Sequence, residues 1–266
     1  YDLHSNRING GEVLVRWAVP EEGLLKPGEF VPLFERNGFI TELDYYIWEH
    51  TCQVIRRWLD EGKKPFPVSV NISRISLYNP QLADVIMELV NKYNIPTRLL
   101  HLELTESACT DNAEEIKDTM QKLRKCGFCI LMDDFGSGYS SLSVLKEIPV
   151  DILKIDMHFI SGNDMSSRGK NILASVVRMA KWLNMSVIVE GVEKESQVAF
   201  LRSIGCEFVQ GYYIAKPMPV DEYERVAFGG FKIQKEIKNS LKMETDIVWD
   251  ASPETDLIFS NMLQAV

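Results

Sequence analysis

The feature that most constrains the fold of this chain is a repeated alternation of short apolar runs and longer helical patterns. The runs are rich in Val, Ile and Leu, which is typical of parallel strands covered on both faces. Seven segments have this character: Glu12–Trp17, Pro67–Ile72, Leu100–Thr105, Cys129–Asp133, Ile152–Asp156, Ser186–Val189 and Phe208–Tyr213. Between them, apolar residues at helical spacing predict helices, for example over Thr41–Glu61 and Ser166–Leu183.

Strand–helix units that recur along most of the chain imply a parallel sheet. An open doubly wound sheet and a closed barrel both satisfy this pattern. Seven runs and a partial strand at Tyr1–Leu3 fit the barrel, so we predict an α/β fold, a modified TIM (β/α)8 barrel. The link at residues 4–7 is too short for a crossover, which predicts that the first strand pairs antiparallel with the second.

The domain organisation follows from where this pattern stops. We predict a barrel domain over residues 1–228, with a truncated N-terminal strand, as expected of a fragment of a longer protein. Residues 229–266 lie outside the repeat and are predicted to be a C-terminal extension, either a linker or the start of another domain. A basic amphipathic helix is predicted within it, over Phe231–Met243.

Composition restricts the partners and the compartment. The chain carries 38 acidic and 29 basic side chains, a formal charge of −9, which does not attract DNA or RNA duplexes or anionic lipid. No apolar stretch approaches the roughly 18 residues that a membrane span needs. The odd count of 5 cysteines favours a reducing compartment. We therefore expect a cytoplasmic domain, alone or as the cytoplasmic part of a membrane-anchored signalling protein.

Polar residues stand at or near the C-terminal ends of most runs, where barrel enzymes place their sites. These residues are Glu12, Asn71, Glu103, Asp133, Asp134, Lys154, Glu190 and Gln210. Taken singly, each is consistent with a solvated strand end or a structural ion pair. Gathered around metal ions, their charges would offset one another. Oxygen donors dominate and no histidines stand at ligand spacing, which favours two Mg²⁺ or Mn²⁺ ions over Zn²⁺.

Other motifs in the sequence are weaker indications of function. Cys126 and Cys129 form a C-x-x-C, but no second pair or nearby histidine completes a zinc site, and a helix end followed by a strand explains them. Asp134-Phe135-Gly136 matches the kinase D-F-G, but the sequence has no H-R-D and no glycine-rich nucleotide loop. The glycines of Gly136-Ser137-Gly138 suit a mobile loop beside the site or a plain turn.

The strand ends resemble those of the EAL domain family, bacterial phosphodiesterases of the second messenger cyclic di-GMP. Seven segments carry the resemblance in family order: Glu12-Val13-Leu14, with Val in place of Ala, Val70-Asn71-Ile72-Ser73, Glu103 to Ser107, Asp133 to Leu142, Leu153 to Asp156, Glu190 to Glu193, and Gln210-Gly211-Tyr212. The resemblance implies a barrel with an antiparallel first strand. It also implies hydrolysis of cyclic di-GMP to linear pGpG with two Mg²⁺ or Mn²⁺ ions.

The resemblance assigns roles by matching motif. It implies Glu12, Asn71, Glu103 and Asp133 as ligands of a first metal, Asp133 and Asp134 as ligands of a second, and a metal contact for Glu190. Lys154 and Glu190 are expected to hold or deprotonate the attacking water. Expected substrate contacts are Leu14, Arg16, Glu193, Gln210 and Pro217. Glu106 is expected to steady the Asp134–Leu142 loop, on which family dimers depend. A homodimer and fusion to a GGDEF or sensor domain are also implied.

The departures from the family pattern lie around this set and remove no metal ligand. They are Val13, Val19, Ser76, Met157, Lys194 and Lys216. One alternative is a catalytically silent EAL domain that acts as a cyclic di-GMP receptor or a protein-interaction module. Another metal-dependent barrel enzyme, such as an enolase-like lyase, would also tolerate acidic strand ends and a lysine, but the motif order disfavours it.

Overall fold

A parallel sheet of seven strands forms the centre of the molecule. The computed structural model describes residues 1–19, 23–109, 113–136, 141–157 and 167–229. Every neighbouring pair in the sheet is parallel, and the strands follow one another in chain order, so the sheet curls as in a TIM-like barrel. Its strands are β1 Gly11–Glu12, β4 Val68–Asn71, β5 Leu100–Thr105, β6 Cys129–Asp133, β7 Ile152–Asp156, β8 Ser186–Glu190 and β9 Phe208–Val209.

Helices connect and cover these strands, as the alternating pattern predicts. They are α1 Pro27–Asn37, α2 Ile40–Asp60, α3 Arg74–Leu77, α4 Leu82–Lys92, α5 Ala113–Lys125, α6 Ser141–Glu147, α7 Ser167–Trp182, α8 Glu195–Ser203 and α9 Val220–Phe228, with short 3₁₀ turns at Thr97–Leu99 and Glu106–Cys109. Helix α2 buries one face, which includes Leu43, Trp48, Cys52 and Ile55. The predicted α/β fold is confirmed.

The first residues run antiparallel to the rest of the sheet. Asp2 forms antiparallel bridges with Phe208 of β9 and with Arg7. The carbonyl of Tyr1 accepts the N–H of Val209 at 2.9 Å. The antiparallel direction is as predicted, but the segment extends along β9 and turns back at Arg7 before β1 begins. It therefore covers the edge of β9 rather than forming a long ladder with the second strand.

The prediction of one strand over Glu12–Trp17 is wrong. Strand β1 ends at Glu12, and Trp17 begins a separate antiparallel hairpin of β2 Trp17–Val19 and β3 Gly23–Leu25. The Trp17 ring lies 5.7 Å from the ring of Phe30 and 5.6 Å from that of Phe34, both on α1. These residues form a small hydrophobic cluster of their own, separate from the barrel core. Packing outside the barrel therefore interrupts the apolar run.

Helix α9 ends where the barrel domain was predicted to end. The Phe228 ring packs edge-on against Trp58 at 5.4 Å and stacks on Phe66. The predicted extension lies outside the described residues except for Gly229, so the domain boundary stays a prediction. Within the described part of the chain, no helix is both long and apolar enough to span a bilayer.

Candidate metal centre and substrate cavity

Four carboxylates converge on one buried lysine at the carboxyl ends of the strands. Lys154 lies on β7 with 1% of its side chain exposed, and its Nζ lies 2.6 Å from Glu190 Oε1, 3.2 Å from Glu12 Oε2 and 3.4 Å from Asp133 Oδ1. The same ammonium contacts Glu103. Because parallel strands end at the same edge of the sheet, acids from β1, β5, β6 and β8 meet there. We call the four acids and Lys154 the carboxylate ring. The fold brings these residues together at the strand ends, as the sequence predicted.

The ring suits a divalent cation. One oxygen from each of Glu12, Glu103 and Glu190 lies within 4.8 Å of the others. Glu103 is fully buried, and its Oε2 accepts no hydrogen bond within the described part of the chain. A buried carboxylate oxygen without a partner is costly, and a cation beside it would remove that cost. All donors are oxygens, the ligand type that Mg²⁺ and Mn²⁺ prefer.

Crowding of like charge shifts the protonation of the ring. Burial, followed by the charges of Glu190 and Glu12, raises the pKa of Asp133 to about 8. Burial also raises the pKa of Glu190, and the ammonium of Lys154 partly opposes that rise. The charge of one lysine therefore does not balance the charges of four acids. Without further positive charge nearby, the acids hold protons more tightly than they would in water.

Two side-chain amides contact Glu12. Gln210 Nε2 donates to Glu12 Oε2 at 2.7 Å, and Asn71 Nδ2 lies 3.5 Å from Glu12 Oε1. Asn71 is also paired directly with Glu103 across β4 and β5. These contacts orient a carboxylate whose strand has only two residues, and they place both amides beside the predicted metal ligands.

Gly211 allows the chain after Gln210 to pass close to Val192. A Cβ at position 211 would lie 2.3 Å from the Val192 nitrogen and 2.4 Å from its oxygen. The N–H of Val192 donates to the Gln210 carbonyl at 3.1 Å, which fixes this close passage. Only glycine fits such an approach, so Gly211 sets the position from which Gln210 reaches Glu12.

The segment that follows β6 is held at its start. Asp134 has a left-handed backbone, with φ of 56°, and its N–H donates to Asp133 Oδ1 at 2.9 Å. The buried carboxylate of Glu106 accepts the N–H of Gly136 at 2.8 Å. Burial raises the pKa of Asp134, and the charges of Asp156, Glu12 and Glu106 add to that rise. Residues 137–140 lie outside the described residues, so the role of Glu106 in the whole loop stays a prediction.

A cavity of about 640 Å³ opens beside the ring. Glu12 and Glu190 line it together with all five predicted substrate contacts, namely Leu14, Arg16, Glu193, Gln210 and Pro217. The other predicted metal and catalytic residues, Asn71, Glu103, Asp133, Asp134 and Lys154, do not line this cavity. Glu103 and Lys154 are buried, and Lys154 contacts both Glu12 and Glu190, which do line the cavity.

Several lining residues were not predicted from the sequence. They are His50, Asp156, Tyr212 and Lys216. Asp156 could have been found, because it stands two residues after Lys154 and side chains at that spacing share one face of a strand. His50 lies on α2 and has no signal in the pattern of strand ends. Lys216 lies over the Tyr212 ring at 5.6 Å, a contact that a sequence pattern does not reveal.

Comparison with known proteins tests the resemblance directly. Residues 1–217 match the family model described as the EAL domain. The chain belongs to the EAL domain family. The EAL family is thus the one indicated by the sequence motifs, and the fold is the TIM-like barrel that the resemblance implied.

Relatives of this EAL domain include two Pseudomonas aeruginosa proteins. The bifunctional diguanylate cyclase/cyclic di-GMP phosphodiesterase MucR is 35% identical over 213 residues, which cover 80% of this chain and 31% of MucR. The cyclic di-GMP phosphodiesterase NbdA is 37% identical over 222 residues, covering 84% of this chain and 28% of NbdA. The chain therefore spans less than a third of the length of these curated relatives.

The EAL domain also superposes on a solved relative. A structure described as the PaMucR phosphodiesterase in complex with c-di-GMP matches with a TM-score of 0.75 and 35% identity. The match covers 80% of this chain and 86% of the solved one. At that coverage the two chains share the barrel as a whole.

Proposed function

We propose that this EAL domain hydrolyses cyclic di-GMP to linear pGpG, using Mg²⁺ or Mn²⁺ held by the carboxylate ring. The observation that carries the proposal is the convergence of four acids on Lys154 beside a cavity of about 640 Å³. Relatives named as cyclic di-GMP phosphodiesterases support the choice of substrate. The structural neighbour described as a c-di-GMP complex supports it as well.

In this proposal the ring holds two ions. Glu12, Asn71, Glu103 and Asp133 would hold the first, Asp133 and Asp134 would reach the second, and Glu190 would contact a metal. When bound, divalent ions polarise the oxygens of a phosphodiester and make an attacking water more acidic. The proposal also explains why Glu103 is buried with an oxygen that has no hydrogen-bond partner among the described residues.

Glu190 is the proposed base. Burial raises the pKa of its carboxyl, which moves it toward the neutral range where a base works best. Lys154 lies 2.6 Å from Glu190 Oε1, so it orients this carboxylate, and its charge partly opposes the rise of the Glu190 pKa. Lys154 would hold the attacking water and Glu190 would take its proton. As the water oxygen bonds to phosphorus, one phosphodiester P–O bond would break, and the leaving oxygen would take a proton from solvent.

The cavity wall would bind the nucleotide. Arg16 would contact a phosphate and Leu14 the ligand surface, and Glu193, Gln210 and Pro217 would lie near a guanine. The same proposal includes a homodimer, a cytoplasmic location and a GGDEF or sensor domain in a longer protein. The name of MucR, which records a diguanylate cyclase together with a phosphodiesterase, agrees with such a fusion.

A hydrolysis assay tests the proposal. Purified protein should convert cyclic di-GMP to pGpG with Mg²⁺ or Mn²⁺, and EDTA should stop the reaction. Glu12→Gln should slow it on the order of 100-fold or more, because a ligand is lost. Glu49→Gln is the control, since Glu49 pairs with Lys92 and Tyr93 at the surface. Intact substrate after prolonged incubation with either metal would overturn the proposal, and tight binding without turnover would favour the receptor alternative.

A further inference from the structure

Main-chain groups of three consecutive residues at the end of β4 are each fixed by a hydrogen bond. The carbonyl of Asn71 accepts the indole N–H of Trp48 at 3.0 Å. The N–H of Ile72 donates to the Glu103 carbonyl at 2.8 Å. The N–H of Ser73 donates to Asp44 Oδ2 at 3.0 Å. The main chain around Asn71 is thus fastened to helix α2 on two sides and to β5 between them.

The two residues from α2 act from the same face of that helix. Asp44 and Trp48 are four residues apart, which places them one turn apart. Both are buried, with 4% and 3% of their surface exposed. The side chains of Ser73 and Ser76 also hydrogen-bond to the Asp44 carboxylate. Burying a carboxylate in the core is costly, and an apolar residue at position 44 would avoid that cost. The hydrogen bonds of Asp44 to this turn therefore indicate a role other than packing.

We propose that Asp44 and Trp48 are positioning residues that fix Asn71 as a ligand of the metal centre. The inference rests on the metal site of the proposed function. Asn71 is the neutral member of the predicted ligand set, so a cation attracts it less than it attracts the carboxylates. Within the described part of the chain, its side chain makes a single long hydrogen bond, 3.5 Å, with Glu12. The amide oxygen therefore depends on the backbone of β4 for its position, and α2 supplies that support.

A purely structural role makes a different prediction. Ser73 caps α3 by accepting the N–H of Ser76, so the bond from Asp44 could simply secure this turn. In that case, substitutions of Asp44 and Trp48 would lower stability and leave metal affinity unchanged. If the two residues position Asn71, the same substitutions should lower metal affinity, and the size of that loss should not follow the loss of stability.

Calorimetric titration of the metal-stripped full chain with Mn²⁺, without nucleotide, separates these roles. Trp48→Phe keeps an aromatic ring and removes the N–H donor, and Asp44→Leu removes the acceptor at similar volume. Each should weaken Mn²⁺ binding on the order of 10- to 100-fold. Asp44→Asn keeps an oxygen acceptor for Ser73 and should bind Mn²⁺ like the wild type. Cys52→Ala, a fully buried change on the same face of α2, should lower the melting temperature without changing affinity.

A double-mutant cycle with Asn71→Ala gives the sharpest test. If Trp48 acts through Asn71, Trp48→Phe should cause no further loss of Mn²⁺ affinity once Asn71 is gone. Additive losses would overturn the inference, as would wild-type Mn²⁺ affinity in both Trp48→Phe and Asp44→Leu. A wild type that binds no Mn²⁺ would overturn it too. Melting curves confirm that each variant is folded, and Trp48→Phe carries the test if Asp44→Leu does not fold.

Failure of this inference is distinguishable from failure of the proposed function. Mn²⁺ binding is measured without substrate, and hydrolysis is measured separately. Mn²⁺ affinity that depends on Trp48 in a protein that leaves cyclic di-GMP intact would keep this inference and remove the phosphodiesterase proposal. Hydrolysis with unchanged Mn²⁺ affinity in the two variants would do the reverse.

Discussion

Lys154 Nζ lies 2.6 Å from Glu190 Oε1 within a side-chain environment that leaves only 1% of the lysine exposed. Three further acids, Glu12, Glu103 and Asp133, surround the same ammonium. Lys154 is therefore both the electrostatic centre of the ring and the neighbour of the proposed base, so its charge affects stability and chemistry together.

Lys154→Met should destabilise the metal-free protein by roughly 3–5 kcal/mol near neutral pH, since one partner of a buried ion network is lost. Added Mg²⁺ should recover part of that loss, because the ion supplies the missing positive charge. Denaturant unfolding with and without Mg²⁺ measures both effects. Lys181→Met is the control and should shift stability by less than about 0.5 kcal/mol, since Lys181 and Glu207 form a long, 3.9 Å pair at the surface. Equal shifts in the two variants would contradict the central role of Lys154.

Metal affinity should rise with pH up to about 8, the value to which burial and neighbouring acids raise the pKa of Asp133. The folded protein holds this proton more tightly than the unfolded chain does, so in the absence of metal the folded state loses stability as pH rises from about 4 to 8. A metal ion must displace the proton, so affinity should increase by up to about tenfold per pH unit below pH 8. Mn²⁺ titrations between pH 6 and 9 test this, and an affinity that stays constant from pH 6 to 8 would contradict it.

Glu106→Leu should impair the second metal position more than the first. The substitution leaves the N–H of Gly136 without its acceptor, which frees the turn that holds Asp134. Asp134 is the ligand proposed for the second ion alone, whereas Glu12 and Glu103 keep the first. We expect the bound Mn²⁺ to fall toward one ion per chain and hydrolysis to slow at least tenfold, measured by equilibrium dialysis and product formation. Two ions bound with unchanged affinities would show that Glu106 does not support this position.

Gly211→Ala should be among the most damaging single changes. A Cβ at this position would lie 2.3 Å from the nitrogen of Val192, which is main chain and cannot rotate away. We expect a loss of about 3 kcal/mol or more in the free energy of unfolding, or no folded protein at all. Gly28→Ala is the control, because beyond its own helix backbone and chain neighbours no atom of the described residues lies within 4 Å of the added carbon. A fully stable Gly211→Ala variant would mean that Gln210 is held differently from the structure described above.

The sequence predicts the barrel and the ring well because both depend on local pattern. Apolar runs report which strands are covered on both faces, and parallel strands bring their carboxyl ends to one edge whatever the details of packing. The residues of the ring can therefore be predicted from the charged positions at or near the ends of the apolar runs. The same reasoning extends to Asp156, which shares a strand face with Lys154.

Features that depend on contacts distant in the chain escape this reasoning. The Glu12–Trp17 run reads as one strand because nothing local shows that Trp17 packs against Phe30 and Phe34. Asp44 reads as an ordinary polar residue of α2 because its partner Ser73 lies 29 residues further along the chain. His50 reaches the cavity through the placement of a whole helix, which side-chain periodicity does not specify.

The hydrogen bond between Gln210 and Glu12 joins residues 198 positions apart. During synthesis, Glu12 therefore lacks its Gln210 partner until nearly the whole barrel has been made. A nascent chain that stops just short of β9 contains every proposed metal ligand but lacks the amide that orients Glu12. Contacts of such high sequence separation also form late and slowly in refolding. Glu12 would thus reach its final orientation only after translation has passed the last strand.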